Sequence, residues 1–310
     1  MIDPTKNPYG KYNGKEMEYV LQALDSDNPV NKEKPWTQRL EELFCKVMGV
    51  KYSIACNSGT SGLHAALVAA GVEPGDEVIS PALTVIMDAY AIIHVGATPV
   101  FADVDPETFA IDPADVRKKI THKTKAIITV SLYGLSVDIA SIIEIAEKNN
   151  LIVIEDSAQT ILGMYRGRIA GTLGDIGVFS FENTKHLTCG SEGGMIVSNS
   201  EKLAQRARKF VGIGYKHLTA TAGRTSLAIS KVQDPDYERF DTIGLNYRMS
   251  EISAAIGLAQ LERVHSLVSR RQAIAKMFDE SVEDCDWIVK QKVPDGYVHS
   301  YFRFILLCSC

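Results

Sequence analysis

The chain has 310 residues, a length that on its own predicts about two domains and is sufficient for a large apolar core. Hydrophobic residues make up 45% and charged residues 23%, values typical of soluble globular proteins, so disorder and collagen-like repetition are excluded. The 33 Lys and Arg residues against 38 Asp and Glu give a net charge of −5, which offers no basic face for nucleic acid or anionic lipid.

The sequence carries no segment that predicts export or a membrane span. Its N-terminus lacks the charged-then-apolar layout of a signal peptide, and the richest apolar stretch, residues 78–103, is interrupted by Asp88 and His94. The six cysteines form no CxxC pair, which favours reduced thiols over a structural zinc site, and no metal site is predicted. We therefore expect a cytoplasmic protein.

Short apolar runs alternate with amphipathic segments between residues 50 and 200. The predicted strands are residues 52–56, 77–80, 99–104, 126–130 and 151–154. The apolar residues with helical spacing after the first strand are Leu63, Ala66, Leu67 and Ala70. Gly71 is placed as the C-cap of that helix. Strands that alternate with helices in this way predict an α/β fold with a mainly parallel sheet.

The pattern changes after residue 175. Two short strands, 177–181 and 194–198, are separated by a glycine-rich turn, and residues 213–243 form a polar segment long enough to be a functional loop. A helical stripe then lies at Ile252, Ala255, Ile256 and Ala259. The predicted domains are a large α/β domain, residues 1–250, and a smaller α+β domain, residues 251–310.

A candidate phosphate site lies in the turn after the first strand. Residues 57–62 read Asn-Ser-Gly-Thr-Ser-Gly and open an alanine-rich helix. Backbone N–H groups at a helix N-terminus bind phosphate without the help of a lysine. The same residues also fit an ordinary N-cap turn, with Ser58, Thr60 or Ser61 as the cap.

A candidate acid, Asp156, follows the apolar run 151–154. Ligands of open α/β sheets bind outside the carboxyl ends of the strands. A carboxylate at that place caps a helix, binds a metal or pairs with a protonated heterocycle. Gln159 lies three residues further on, which is close enough to share the same site.

A candidate catalytic lysine, Lys185, lies between a short strand and a glycine-rich turn. Residue type alone favours a solvated lysine, so its interest comes from the combination of signals. A phosphate turn, an acid at a strand end and a lysine 29 residues later is the order expected for pyridoxal phosphate. That cofactor needs a phosphate site, a carboxylate on its pyridinium nitrogen and a Schiff-base lysine.

Six motifs follow one another in a fixed order over residues 50–265. They are NSGTSGL (57–63), GDEVISP (75–81), VGATPVFADVD (95–105), EDSAQ (155–159), SFENTK (180–185) and GLNYRMSEISAA (244–255). In these motifs the chain resembles the nucleotide-sugar aminotransferases of the DegT/StrS type, a branch of the fold-type I pyridoxal phosphate enzymes. The resemblance implies a fold-type I large domain followed by a smaller C-terminal domain.

The resemblance also implies a role for each matching residue. Lys185 would form the internal aldimine with pyridoxal 5'-phosphate and then move the proton, while Asp156 would pair with the pyridinium nitrogen. Gln159 would approach the phenolic oxygen of the cofactor. The residues implied to bind the phosphate are Ser58, Gly59, Thr60, Ser180 and, from the neighbouring subunit, Asn246. A homodimer with shared active sites is therefore implied.

Two features depart from the family pattern. Val85 stands where the family has an aromatic residue that stacks on the cofactor ring. Relatives continue well beyond a segment like residues 299–301, whereas this chain reaches only residue 310. We therefore expect weaker stacking on the ring and an incomplete small domain.

The resulting hypothesis is an aminotransferase that moves the amino group of L-glutamate to a nucleotide-linked keto-hexose. One alternative is a sugar dehydratase on the same scaffold, which would have histidine in place of Lys185, and His186 is adjacent. A second alternative is a catalytically silent cofactor-binding or regulatory homologue. The 213–243 loop is expected to contribute to specificity. Its candidates for contact with a pyrophosphate, which fit a solvated loop equally well, are Lys216, His217 and Arg224.

Overall fold

A computed structural model describes residues 10–12, 14–25, 34–223 and 229–308. The helices of these residues are α1 (Glu16–Asp25), α2 (Trp36–Met48), α3 (Gly59–Ala70), α4 (Met87–His94), α5 (Pro113–Lys119), α6 (Ile139–Asn149), α7 (Glu201–Val211), α8 (Ile229–Val232), α9 (Glu251–Leu261) and α10 (Val264–Ser281). The strands are β1 (Tyr52–Cys56), β2 (Glu77–Pro81), β3 (Thr98–Ala102), β4 (Thr124–Val130), β5 (Ile152–Asp156), β6 (Met164–Tyr165), β7 (Arg168–Ile169), β8 (Ile176–Ser180), β9 (Gly194–Ser198), β10 (Ile288–Lys290), β11 (Tyr297–Val298) and β12 (Leu306–Cys308).

The central sheet has seven strands in the order β1-β9-β8-β5-β4-β2-β3. β9 runs antiparallel to both of its neighbours, whereas the contacts from β8 through β5, β4 and β2 to β3 are all parallel. Most of the central strands are buried along nearly their whole length, as expected for a parallel sheet covered on both faces. The predicted α/β fold with a mainly parallel sheet is confirmed.

Helices cover both faces of this sheet, whose apolar side chains belong to three buried clusters. Ile54 of β1 belongs to the cluster that α3 and α7 cover, and its neighbour Ala55 belongs to the cluster that α2 and α9 cover. In the second cluster the ring of Phe44 packs edge-on against Phe179, with centroids 5.2 Å apart. The alternation of side chains along each strand therefore supplies both layers of the core.

The five strands predicted before residue 155 are confirmed in place, with small differences at their ends. α3 ends at Gly71, as predicted, where φ is +77°, a left-handed conformation that suits glycine. The stripe predicted for α9 is wrong in one respect, since Ile252 is 42% exposed while Ala254 and Leu258 are buried. α9 is apolar on most sides, so spacing alone does not identify the face that packs on α1 and α2.

The C-terminal residues fold as α10 and short strands. β10 pairs with β12 in a two-stranded sheet, and β11 extends the small sheet of β6 and β7. The division at residue 250 and the incompleteness of the second domain stay predictions. Among the helices of the described residues, none combines the length and the apolar character needed to cross a membrane.

Candidate active site

The carboxyl edge of the central sheet brings together segments that follow different strands. β1, β5 and β8 run in the same direction, so their last residues lie at one edge. The turn at residues 57–60 follows β1, Asp156 ends β5, and Ser180 ends β8. Lys185 lies in the loop from β8 to β9. Open α/β sheets bind their ligands at this edge.

The turn after β1 begins α3 with a capping box. The Ser61 N–H donates to Ser58 Oγ at 3.1 Å, and the Ser58 N–H donates to Ser61 Oγ at 3.2 Å. The N–H groups of Gly59 and Thr60 have no acceptor among the described residues. Gly59 packs so closely on Ser180 that a Cβ at position 59 would lie 2.9 Å from the Ser180 Cβ. The turn therefore offers two free amides and a tight cradle to an anion.

Asp156 is a buried acid that is held by the main chain. It is 6% exposed, and the Ala158 N–H donates to its Oδ1 at 2.8 Å. Burial raises the pKa of the Asp156 carboxyl, while the Ala158 bond, a hydrogen bond with Asp88 and the charge of Lys185 lower it. The carboxyl therefore has a fixed orientation and lies within electrostatic reach of an amine.

Lys185 is fixed by main-chain bonds on both sides. Its backbone N–H donates to the Glu182 carbonyl at 3.0 Å, and Arg271 Nη2 donates to the Lys185 carbonyl at 3.2 Å. Burial lowers the pKa of its side-chain amine, and the charges of Asp156 and Glu182 oppose that effect. A lysine with a lowered pKa is neutral, and hence nucleophilic, over a wider pH range than a surface lysine.

Gln159 and Asn246, the other predicted site residues, lie in different surroundings. Gln159 is buried, and the Tyr133 N–H donates to its Oε1 at 2.7 Å, which leaves Nε2 as the donating end of the amide. Asn246 is exposed, on a segment that runs beside the phosphate turn because the Asn57 N–H donates to the Tyr247 carbonyl at 2.8 Å. Among the described residues, no side-chain bond joins Asn246 to the rest of the site.

Asp88 is a candidate site residue that the motifs did not select. It lies in the first turn of α4, is fully buried and lies against Asp156. Thr84 Oγ1 donates to Asp88 Oδ2 at 2.5 Å. Burial and the charge of Asp156 raise the pKa of the Asp88 carboxyl. The signal in the sequence was an acid that interrupts the apolar run 78–103.

The segment 299–303 also contacts the candidate site, a contact that the sequence analysis did not predict. Lys185 Nζ lies 4.5 Å from the centroid of the Phe302 ring. His186 Nε2 donates to the Ser300 carbonyl at 3.0 Å, and burial lowers the pKa of His186 to about 3. The imidazole of His186 is therefore neutral and bound to the main chain, while the amine of Lys185 is the group that faces Asp156.

The structure gives the positions of Val85 and of most of residues 213–243, the predicted specificity segment. Val85 is 42% exposed in the segment between β2 and α4. In the 213–243 loop, Lys216 Nζ pairs with Glu238 at 2.8 Å, and Arg224 lies outside the described residues. His217 lines a cavity of about 810 Å³. None of the predicted cofactor residues lines that cavity, so we place the candidate active site at Lys185 and not there.

The residues at the carboxyl edge fit pyridoxal phosphate. The free amides and the cradle at Gly59 suit its phosphate, the buried acid Asp156 suits a protonated ring nitrogen, and the half-buried amine of Lys185 suits its carbonyl carbon. Within the described parts of the chain, no group of three or more His, Cys, Asp and Glu side chains is arranged to hold a metal ion.

Comparison with known proteins gives matches along nearly the whole chain. The sequence profile of the DegT/DnrJ/EryC1/StrS aminotransferase family matches residues 11–310. A GDP-perosamine synthase of Caulobacter vibrioides is 41% identical over 273 residues, which cover 88% of this chain and 68% of that protein. A GDP-perosamine synthase of Escherichia coli O157:H7 is 40% identical over 294 residues, which cover 95% of this chain and 75% of that protein.

A solved structure is similar over the same region. The crystal structure of NtdA from Bacillus subtilis, which has the cofactor PMP bound, superposes with a TM-score of 0.79. The two sequences are 28% identical, and the match covers 94% of this chain and 63% of that chain.

Proposed function

The chain belongs to the DegT/DnrJ/EryC1/StrS aminotransferase family, and from this premise we propose that it is a pyridoxal phosphate-dependent sugar aminotransferase with the fold-type I architecture. One observation carries the proposal. The amine of Lys185 and the buried carboxyl of Asp156 act on each other at the carboxyl edge of the sheet, next to the free amides that begin α3.

Each of these residues has a distinct task in the proposed reaction. Pyridoxal phosphate supplies the carbonyl that takes up an amine and the ring that accepts electrons from the neighbouring carbon. The amides of Gly59 and Thr60 would hold its phosphate, and Asp156 would hold the proton of its ring nitrogen. The amine of Lys185, when neutral, would be the group available to its carbonyl carbon and would then serve as the proton carrier. Gln159 Nε2 would donate to its phenolic oxygen.

We propose L-glutamate as the amino donor and a GDP-linked keto-hexose as the acceptor. The names of the two similar synthases support a GDP-linked sugar. Residues 213–243, which include the short helix α8, are the proposed specificity segment, because connecting segments on a rigid scaffold commonly carry substrate selection. The cavity of about 810 Å³ borders this loop at Tyr215, His217 and Arg239.

We also propose a homodimer in which Asn246 reaches the phosphate of the partner. Asn246 is exposed and lies on a segment with other exposed apolar side chains, Ile243 and Leu245. Exposed apolar surface of this kind is typical of an interface. We place the reaction in the cytoplasm, and the free thiols of Cys45 and Cys56 support a reducing compartment.

The test is the visible absorption of the purified chain with pyridoxal phosphate, before and after L-glutamate is added. We expect a visible band in the wild type, its loss with release of 2-oxoglutarate on adding glutamate, and no band with Lys185→Ala. Amine transfer to a GDP-linked keto-hexose, compared with the UDP-linked analogue, then tests the acceptor. A band that does not respond to glutamate would favour a silent homologue or another donor. A band retained by Lys185→Ala would refute the proposed role of Lys185.

A further inference from the structure

Two acidic side chains, Asp88 and Asp156, are joined by a hydrogen bond at the candidate cofactor site. Asp88 reaches the pair from the first turn of α4, and Asp156 reaches it from the end of β5. Asp88 has no exposed surface, and Asp156 is nearly as buried. Two ionised carboxylates in contact and out of water are strongly unfavourable, so a pair of this kind shares a proton.

The hydrogen bonds around Asp88 show which member of the pair holds the proton. Thr84 Oγ1 donates to Asp88 Oδ2 at 2.5 Å, while Asp88 Oδ1 is buried without a donor among the described residues. An ionised carboxylate only accepts, so it would leave Oδ1 unsatisfied. A protonated Oδ1 donates to Asp156 and satisfies both groups. Asp156 already accepts the Ala158 N–H at 2.8 Å, a bond that favours its ionised form.

The charged groups around the pair agree with this assignment. Lys185, from the loop after β8, is the cation that acts on Asp156, whereas Asp156 is the charge that acts on Asp88. Two histidines also lie where α3 packs on α4. They are His64 and His94, with ring centroids 5.8 Å apart, and His94 is at the other end of α4 from Asp88. The single cation therefore faces Asp156, and Asp88 has no partner for a negative charge among the described residues.

We propose that Asp88 is a positioning residue that is held as a neutral acid and donates a hydrogen bond to Asp156. It keeps the pair at one negative charge, which matches one protonated ring nitrogen. The bond from Asp88 lowers the pKa of Asp156 and so keeps Asp156 ionised despite its burial. The inference rests on the proposed function where it concerns the cofactor, but the protonation of Asp88 is a property of the chain alone.

The first test therefore needs no cofactor. Wild type, Asp88→Asn and, as a control, Asp286→Asn at an exposed carboxyl are unfolded in urea at one protein concentration, at about pH 5 and about pH 8. The pKa of Asp88 is raised in the folded chain, so its contribution is fully present at low pH and is lost as pH rises towards that pKa. The asparagine cannot ionise. The urea midpoint of Asp88→Asn should therefore rise relative to wild type between about pH 5 and about pH 8.

The urea midpoint of the control, Asp286→Asn, should change between the two pH values by the same amount as that of the wild type. If the midpoint of Asp88→Asn also changes by that amount, the pKa of Asp88 does not change on folding and the proposal is overturned.

The second test uses the visible band of bound pyridoxal phosphate. The amide of Asp88→Asn keeps one donor and one acceptor, so its apparent Kd should stay within about threefold of the wild type. Asp88→Leu removes the donor, which raises the pKa of Asp156 and weakens binding by about tenfold or more. An ionised Asp88 predicts the opposite, because its removal would relieve repulsion and tighten binding.

If Asp88→Leu does not fold, Thr84→Val takes its place in the test. It removes the hydrogen bond from Thr84 to Asp88, and it should therefore shift the pH dependence of the visible band. An unchanged pH dependence would then contradict the proposal. A wild type that shows no band refutes the proposed function and leaves the urea experiment to decide the protonation of Asp88.

Discussion

The amine of Lys185 lies over the face of the Phe302 ring, with Nζ 4.5 Å from the ring centroid. The residues that meet here are more than a hundred positions apart in the chain, and Arg271 fixes both by donating to the carbonyl of each, at 3.2 Å. The negative face of an aromatic ring stabilises an ammonium that has lost part of its water. Phe302 therefore helps to set the protonation of the lysine.

Substitution Phe302→Leu should lower the pKa of Lys185 further, because the leucine fills the space but has no negative face. A cation–π contact of about 0.5–1 kcal/mol corresponds to roughly half a pH unit. The measurement is the pH at which binding of pyridoxal phosphate to Lys185 is half-maximal, read from the visible band. Phe302→Tyr keeps the ring and serves as the control. Equal midpoints for the leucine and tyrosine variants would contradict the prediction.

Glu182 and Arg303 should act on Lys185 in opposite directions. The charge of Glu182 raises the pKa of Lys185, and the charge of Arg303 lowers it. Glu182→Gln should therefore move the pH midpoint of cofactor binding to lower pH, and Arg303→Gln should move it to higher pH. Both shifts should shrink in high salt, since Arg303 is exposed and Glu182 partly exposed, and salt screens charges that contact solvent. Shifts in the same direction would show that the changes act by distorting the site.

Mixed dimers test whether active sites are shared between subunits. Lys185→Ala and Asn246→Ala should each be inactive alone, because each damages both sites of a symmetric dimer. After the two variants are unfolded together and refolded, half of the dimers are mixed, and each mixed dimer has one intact site. Activity should therefore recover to roughly a quarter of the wild-type value. If no activity recovers while mixed dimers are detected by mass, Asn246 acts within its own subunit.

A buried ion pair beneath β1 should dominate the stability of that edge. Arg208 donates to both carboxylate oxygens of Glu41 at 3.0 Å, and the Ala55 N–H donates to Glu41 Oε1 at 2.8 Å. Glu41→Gln leaves the guanidinium buried without its counter-charge, at a cost of about 3–5 kcal/mol in the free energy of unfolding. The double variant Glu41→Leu with Arg208→Met should lose less free energy of unfolding than Glu41→Gln, because it leaves no buried charge without a partner.

Urea unfolding at fixed protein concentration measures the free energy of unfolding lost by Glu41→Gln and by the double variant. If the double variant loses as much as Glu41→Gln, or more, the prediction is wrong.

Much of the sheet could be predicted because each element carries a local signal. The apolar runs place β1, β4 and β5 to within two residues, and Gly71 marks the end of α3. The capping role of Ser58 was one of the two interpretations given to its turn, and the structure shows the cap together with two free amides. The same turn therefore caps α3 and also has free amides that suit a phosphate.

Other features depend on contacts that no local pattern encodes. β9 reads as a buried strand whichever way it runs, so its antiparallel direction became visible only in the sheet. Asp88 and Asp156 are 68 positions apart, and the meaning of an acid inside an apolar helix depends on what that helix covers. The contact of Phe302 with Lys185 depends in the same way on the path of the C-terminal segment.

The antiparallel strand β9 also has a consequence for the order of events during synthesis. β1 lies at an edge of the sheet, and its strand neighbour is β9, with Cys56 opposite Gly194, about 140 residues later. A ribosome that adds about 5–20 residues per second makes the partner roughly 7 to 28 seconds after β1. During that interval the apolar β1 has an unpaired side, and it is a place for a chaperone to bind. The turn that follows β1 and begins α3 is therefore translated early, whereas the strand that pairs with β1 is made after every other strand of the central sheet.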